Sequence, residues 1–358
     1  MRRTLAIAAM SLAVLAAAPP AHAADVALPK PTGPRPVGTT SLHLVDSSRP
    51  DPWNPEASER ELMVSLWYPA KRAVGRPAPY MTPQESAAVL KDFSNVPPDA
   101  LIRTRTYARL DAPVSPGRHP LVVMSPGFSF PRATLTSLAE EFASRGYLVA
   151  AVEHTYESVA TTFPDGRTTT CLACVKGQDS VKVAAGRVKD VRFVLGELVK
   201  GRWGRAIDRS RIAMVGHSMG GYATAQTMLA DTRIKAGVNL DGTFALDEPL
   251  DRPFMLVGAP GHAPGYGSWD KAWINLKGWK RWITVAGTDH AAFVDYAVLR
   301  PQLGLPAQQL DGARALRITR AHLVSFLDRH LLGKRAPVED YPEVSDHTRN
   351  ASAFSEAH

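Results

Sequence analysis

Cysteine is scarce in this chain: its 358 residues include two, Cys171 and Cys174. That excludes a small scaffold held by several disulfides, and a zinc site built from paired cysteines would lack ligands. Apolar runs long enough to cross a bilayer, about 20 residues, are missing as well. The stretch at 5–18 is shorter, follows Arg2 and Arg3 and precedes Ala21-His22-Ala23. This is the pattern of an export leader, expected to occupy 1–23 with cleavage near Ala23, and it implies a secreted, extracellular protein. An uncleaved anchor is the alternative. Acidic residues are in the minority, 34 Asp and Glu against 42 Lys and Arg, which makes the net charge +8, or about +6 without the leader's two arginines. The positive residues are scattered and form no stripe, so a nucleic-acid partner is not expected. No repeat of 20 to 50 residues suggests a solenoid.

Short apolar segments alternate with helical periodicity along the remaining length. Segments 41–45 and 61–67 read as a pair of outer strands, and 120–125, 147–152, 211–215, 234–240, 253–257 and 281–286 as further strands. Helical patterns occupy 134–145, 180–199, 221–230 and 313–332. Such alternation predicts an α/β fold, a mostly parallel central sheet with helices on both faces. Stretches 29–40 and 48–55 carry proline and turn formers, 258–278 is a glycine-rich connection, and the last twenty or so residues are polar and expected to be poorly ordered. In an exported chain Cys171-Leu172-Ala173-Cys174 is expected to close a local disulfide, with free thiols or redox or metal chemistry as alternatives.

Gly216-His217-Ser218-Met219-Gly220 lies where the strand at 211–215 gives way to the helix that follows. A G-x-S-x-G sequence in that setting is a nucleophile elbow: the small flanking residues allow a sharp turn that lifts the serine hydroxyl above the sheet. A serine hydroxyl needs a base, and the base an acid to orient it. Asp241 at the tip of the next strand and His290 after Gly287-Thr288-Asp289 fit the expected chain order of serine, acid, histidine. Asp247, Asp251 and Asp289 compete for the acid, and His262 and His322 for the base. The N–H groups of Met219 and Phe128, the latter after Ser125-Pro126-Gly127, are the candidate oxyanion donors. Pro126 has no N–H to offer. His217 is expected to pack or hydrogen-bond to the scaffold. His154, in Val152-Glu153-His154, either lines the pocket or makes a structural hydrogen bond. Trp269, Trp273 and Phe130 would supply an apolar rim for lipid or complete the core.

Trp67-Tyr68-Pro69-Ala70, Ser125-Pro126-Gly127, Val152-Glu153-His154, the elbow with Gly221, Leu240-Asp241-Gly242 and Gly287-Thr288-Asp289-His290 together resemble the secreted type II platelet-activating-factor acetylhydrolase family and its bacterial lipase relatives. The resemblance runs discontinuously from residue 41 to 332. It implies an α/β-hydrolase fold, with an N-terminal extension at 24–40, a catalytic domain at 41–335 and a C-terminal tail at 336–358. It also implies a calcium-independent ester or lipid hydrolase with no cofactor and no metal, in which Ser218 is the nucleophile, Asp241 the acid, His290 the base, and Phe128 and Met219 the oxyanion hole. The histidine common in the oxyanion loop of related lipases is replaced by Ser125-Pro126, which bears on the pocket rim. Bacterial cutinases and polyester hydrolases share Gly-His-Ser-Met-Gly-Gly but lack the long segment before the strand at 120.

The expected activity is therefore hydrolysis of short or medium acyl esters, including phospholipids with a short acyl chain, with peripheral contact with lipid surfaces. A cutinase-like polyester hydrolase is the alternative. An amidase or peptidase, and a non-enzymatic binding protein on a hydrolase scaffold, are the more distant ones.

Overall fold

The computed structural model describes residues 26–175, 179–265, 267–335 and 337–351. The expected leader at 1–23 and its cleavage point lie outside the described residues. In chain order the strands are β1 (Val37–Asp46), β2 (Arg60–Pro69), β3 (Arg109–Leu110), β4 (His119–Ser125), β5 (Leu148–Glu153), β6 (Thr161–Thr162), β7 (Thr168–Thr169), β8 (Ile207–His217), β9 (Ile234–Leu240), β10 (Phe254–Gly258), β11 (Lys280–Val285) and β12 (Val344–Asp346). The helices are α1 (Pro83–Leu90), α2 (Thr136–Ser144), α3 (Leu172–Val175), α4 (Ser180–Lys200), α5 (Met219–Ala230), α6 (Ser268–Asn275), α7 (Tyr296–Gln302) and α8 (Gly312–Leu332).

Ten strands form one sheet in the order β12-β11-β10-β9-β8-β4-β5-β2-β1-β3. From β11 through β5 every neighbouring pair is parallel, while β2 runs antiparallel to both β1 and β5, and β12 antiparallel to β11. This is the mostly parallel α/β-hydrolase sheet. The central strands are apolar almost without interruption because both of their faces are covered. Alternate residues face opposite sides: Leu121, Val123 and Met214 pack with Val191, Val194 and Tyr222 of α4 and α5, whereas Val122, Met124 and Val215 pack with Leu138 and Phe142 of α2 and Leu323 and Leu327 of α8.

Local chemistry sets the helix ends. Thr82 and Glu85 close a reciprocal capping box on α1, the Asp179 side chain accepts from the Val181 and Lys182 N–H groups at the start of α4, and Gly333 ends α8 in the left-handed conformation at φ 67°.

Three expectations need correction. Residues 37–40, read as loop, belong to β1, whose pairing with β2 runs from Val37 opposite Pro69 to Asp46 opposite Arg60. The segment after 335, expected as a poorly ordered tail, supplies β12: Ala286 N–H donates to the Glu343 carbonyl at 2.7 Å, and Val344 pairs with Val285. The glycine-rich connection at 258–278 contains α6, and its Trp269 and Trp273 are about as buried as any side chain in the core, so they form no lipid rim. Amphipathic spacing within α6 aims both indoles inward, where they meet Trp282 at ring distances of 5.7 Å.

The N-terminal extension is anchored. Val26 and Leu28 bury against Leu90, Leu101, Leu299 and Leu316, and Gln302 exchanges two hydrogen bonds with the Ala27 backbone. Cys171 and Cys174 are joined by a disulfide.

Candidate active site

β8 is followed directly by Ser218, which adopts φ 55° and ψ −119°. Such a conformation is costly for a residue with a side chain and persists only where the surroundings fix it. Here the Ser218 N–H donates to the Leu240 carbonyl at 2.8 Å, and its own carbonyl accepts from Gly221 and Tyr222. The turn also requires glycine: a Cβ on Gly216 would overlap the Gly220 carbonyl, and one on Gly220 would overlap that of Ser125.

β9, the neighbour of β8, delivers Asp241 at φ 56°. Its N–H donates to the Val257 carbonyl at 2.8 Å, and Asn239 pinches the turn by exchanging two 2.8 Å hydrogen bonds with Gly242. One carboxylate oxygen, Oδ1, accepts the Ala259 N–H at 2.6 Å, while Oδ2 faces His290 Nδ1 at 2.6 Å. After β11, Gly287 at φ 73° and the Thr288 hydroxyl bonded to the Val285 carbonyl turn the chain toward His290. His290 Nε2 then stands 2.8 Å from Ser218 Oγ.

Proton positions follow from the partners. A carboxylate only accepts, so His290 carries its proton on Nδ1, and the free lone pair of Nε2 receives the Ser218 O–H. Asp241 is buried, whereas half of the His290 side chain is exposed to the cleft.

The rival acids are turned elsewhere. Asp289 pairs with Arg300 at 3.0 Å and accepts the Ala291 N–H, and Asp247 and Asp251 are exposed on the loop after β9. Of the rival bases, His322 is buried in α8. His262 stacks on Trp269 with ring centroids 4.3 Å apart and holds its Nε2 3.6 Å from Asp241 Oδ1, beyond hydrogen-bond reach.

His217 lies beneath His290 and bonds its carbonyl through Nε2 at 2.7 Å, with Phe130 stacked on the ring at 5.5 Å. Burial, and after it the charge of His290, pushes the His217 imidazole down to about 4. It is therefore neutral near pH 7 and places no second cation under His290.

Of the two candidate oxyanion donors, Met219 directly follows Ser218, and Phe128 follows Gly127, where an added Cβ would stand 3.4 Å from the Ser218 Cβ. Met219 is the first residue of α5, where backbone donors have no intrahelical partner. Among the described residues neither N–H is bound to an acceptor. The cleft above is open and lined by Ser218, Met219, Tyr222, Phe244, His262 and His290, among others. An activated hydroxyl, a base held by a carboxylate and two unused donors can together carry out acyl transfer.

Several participants were not foreseen. Asn239 inside an apolar strand was the available signal for a pinched turn. Nothing in the pattern around Ala259 marked its N–H as the partner that fixes the Asp241 carboxylate.

A family model described as platelet-activating factor acetylhydrolase, isoform II, matches residues 21–183 and 167–344. A probable 1-alkyl-2-acetylglycerophosphocholine esterase of Arthroderma benhamiae is 27% identical, over 88% of this chain and 92% of its own length. The platelet-activating factor acetylhydrolase of Gallus gallus is 24% identical, over 86% and 84% respectively. Among solved structures, a ferulic acid esterase from Streptomyces cinnamoneus superposes with a TM-score of 0.82 at 39% identity, covering 90% of this chain and 99% of that one.

Proposed function

The chain belongs to the platelet-activating factor acetylhydrolase isoform II family and is a carboxylic ester hydrolase, and on that premise we propose that it works through an acyl-enzyme on Ser218. His290 takes the Ser218 proton as the hydroxyl attacks the ester carbonyl. The N–H groups of Met219 and Phe128 receive the oxyanion, and Asp241 holds the imidazole in the required tautomer and stabilises its cation. The protonated His290 then passes its proton to the departing alkoxide. A water activated by the same nitrogen releases the acid.

The observation that carries this reading is the unbroken path from Ser218 Oγ through His290 to Asp241, at 2.8 and 2.6 Å, at the floor of an open cleft. Replacing Ser218 with alanine should abolish hydrolysis of p-nitrophenyl acetate and labelling by a fluorophosphonate while leaving the melting temperature within a few degrees. Retained turnover would sink the assignment.

For the substrate, the family's relatives support a phospholipid carrying a short acyl chain, reached by an enzyme exported through the leader at 1–23 and in peripheral contact with lipid surfaces. The catalytic unit is proposed to span 41–335. A hydroxycinnamate ester is the second reading, favoured by the 39% identity to the ferulic acid esterase and by Tyr222 and Phe244 along the cleft. A kinetic panel separates these: p-nitrophenyl esters from acetate to palmitate, a 2-acetyl phosphatidylcholine, methyl ferulate, a polyester film and an anilide. A kcat/KM for the acetyl phospholipid at least tenfold above that for methyl ferulate supports the first reading, and the reverse order the second.

A further inference from the structure

Behind the loop that carries Phe128 lies a second serine–histidine–aspartate chain that the reaction above leaves unused. Ser125 Oγ stands 2.9 Å from His154 Nε2, and His154 Nδ1 2.8 Å from Asp190 Oδ2. All three side chains are sealed from solvent, so no ester can reach this serine. The Asp190 carboxylate also accepts from Nε and Nη2 of Arg60, at 3.1 and 2.8 Å, and from Arg49 at 2.6 Å. Burial alone would raise its pKa, but the Arg60 charge and the hydrogen bonds from His154 and Arg60 hold it well below the usual carboxylate range. An ionised Asp190 places the His154 proton on Nδ1. Nε2 must then accept the Ser125 O–H, and the lone pairs of Ser125 Oγ face Arg187 Nη1 at 3.2 Å.

Arg187, from the middle of α4, joins this chain to the loop. The same Nη1 donates to the Pro126 carbonyl at 2.5 Å, and Arg187 Nε to Glu157 Oε2 at 2.7 Å. Glu157 in turn accepts the Trp53 indole N–H through Oε1 and the Ser129 N–H through its carbonyl, at 3.0 and 2.9 Å. The Gly127 carbonyl accepts the Phe130 N–H at 3.2 Å, and the Ser129 carbonyl the Val159 N–H at 3.0 Å. The Pro126, Gly127 and Ser129 carbonyls and the Ser129 and Phe130 N–H groups are thus tied down on both sides of Phe128, whose own N–H has no acceptor among the described residues. A buried ion network of this size contributes little net stability, because desolvating the charges offsets their attraction. What it does supply is direction.

We propose that Arg187, through the Pro126 carbonyl and the Ser125–His154–Asp190 chain, is a positioning residue that aims the Phe128 N–H at the oxyanion. The proposal rests on the reading of Ser218 as nucleophile and Phe128 as oxyanion donor. Loss of one such donor costs about 10² to 10³ in turnover. Arg187→Lys, which retains the charge but cannot span Pro126, Ser125 and Glu157 together, should lower kcat about a hundredfold. KM should stay within about threefold, because the ground-state carbonyl makes little use of the donor. Ser125→Ala, a smaller change that leaves the Arg187 bond to Pro126, should lower kcat about five- to tenfold in the same manner, by comparison with the loss of a whole donor.

Both variants are measured per active site, titrated with a fluorophosphonate carried to completion, and against a trifluoromethyl ketone, whose hemiketal oxygen mimics the oxyanion. The inhibition constant of the ketone should rise in step with the loss of kcat/KM. If the variants merely lose titratable sites or melting temperature while kcat per site and ketone affinity stay at the parent values, the positioning role is overturned. Should the lysine variant fail to fold, Ser125→Ala decides alone. Failure of the nucleophile reading is separate, since it requires the Ser218→Ala protein to hydrolyse ester.

Discussion

Replacing Asp241 with asparagine should abolish most turnover without disturbing the fold, and the reason is readable in the two faces of one carboxylate. Oδ1 accepts the Ala259 N–H at 2.6 Å and Oδ2 accepts the His290 Nδ1–H at 2.6 Å. An asparagine has one acceptor. If its oxygen keeps the Ala259 N–H, its amide points at His290 Nδ1, which must become an acceptor, and the imidazole proton moves to Nε2. That nitrogen can then only donate toward Ser218 Oγ and cannot take its proton. The flipped amide restores the tautomer but sets two donors against each other at Ala259, a loss of about 1–3 kcal/mol for an unsatisfied buried group, and still lacks the negative charge beside the imidazolium. The expected loss in kcat is about 10⁴, or roughly 5.5 kcal/mol in the barrier. The assay is p-nitrophenyl acetate turnover at pH 7.5, paired with thermal unfolding to show a parent-like fold. A loss below tenfold would refute the reasoning. So would a larger loss from Asp289→Asn, which should stay within about threefold of the parent, a small effect on the barrier scale, because Asp289 is bound to Arg300 and Ala291 and faces away from the imidazole.

Two further outcomes follow from buried groups. Burial raises the Glu140 carboxyl from its ordinary 4.5 to about 7, although its Oε1 accepts the Tyr107 and Ala108 N–H groups. Below pH 4.5 the group is protonated in both states. Between 4.5 and about 7 the unfolded chain ionises and the folded one does not, so stability is lost as pH rises through that window. Glu140→Gln cannot ionise, and urea unfolding at pH 4.5 and pH 8 should show its stability rising against the parent by about 3 kcal/mol. Parallel curves would contradict this. At the elbow, Gly216→Ala places a Cβ on the Gly220 carbonyl, and a loss above about 3 kcal/mol or failure to fold is expected. A urea midpoint equal to the parent's would show that the turn tolerates a side chain.

The central strands were legible because burial on both faces makes them continuous apolar runs, so β4, β5, β8, β9, β10 and β11 could be placed within a few residues from composition alone. Elements that depend on distant partners were not. β12 has three residues and exists because β11 offers it an edge. α7 carries Pro301 near its end and spans too few turns to show a period. At the site, Ser218, Asp241 and His290 could be picked out because each follows a strand end in the chain order an elbow requires, and the structure brings the three together. The buried charges could not. Arg187 in a helix otherwise rich in lysine and arginine reads as one more solvated residue, and Arg60, Asp51 and Asp190 come from three segments that meet only after folding.

Backbone strain adds to the case for the role proposed for those buried charges. Among the described residues five that are not glycine have positive φ: Asp111, Ser129, Tyr156, Ser218 and Asp241. Four of them are in the candidate site or in the loops that support it. Each costs on the order of 1–3 kcal/mol and needs its neighbours to hold it. Ser218 and Asp241 are held by strand-end hydrogen bonds to Leu240 and Val257. Ser129 is held by Glu157 and Val159, and Tyr156, whose carbonyl accepts the Ala173 N–H and whose hydroxyl accepts from Asn54, adjoins Glu157. Glu157 is the partner of Arg187, and Thr155, whose carbonyl accepts from Arg60, completes the same turn. The sheet thus constrains the proposed nucleophile and its proposed acid directly. The loop proposed to carry an oxyanion donor lies beyond the end of β4, and the Arg187 bonds to the Pro126 carbonyl and Glu157 are proposed to take the sheet's place.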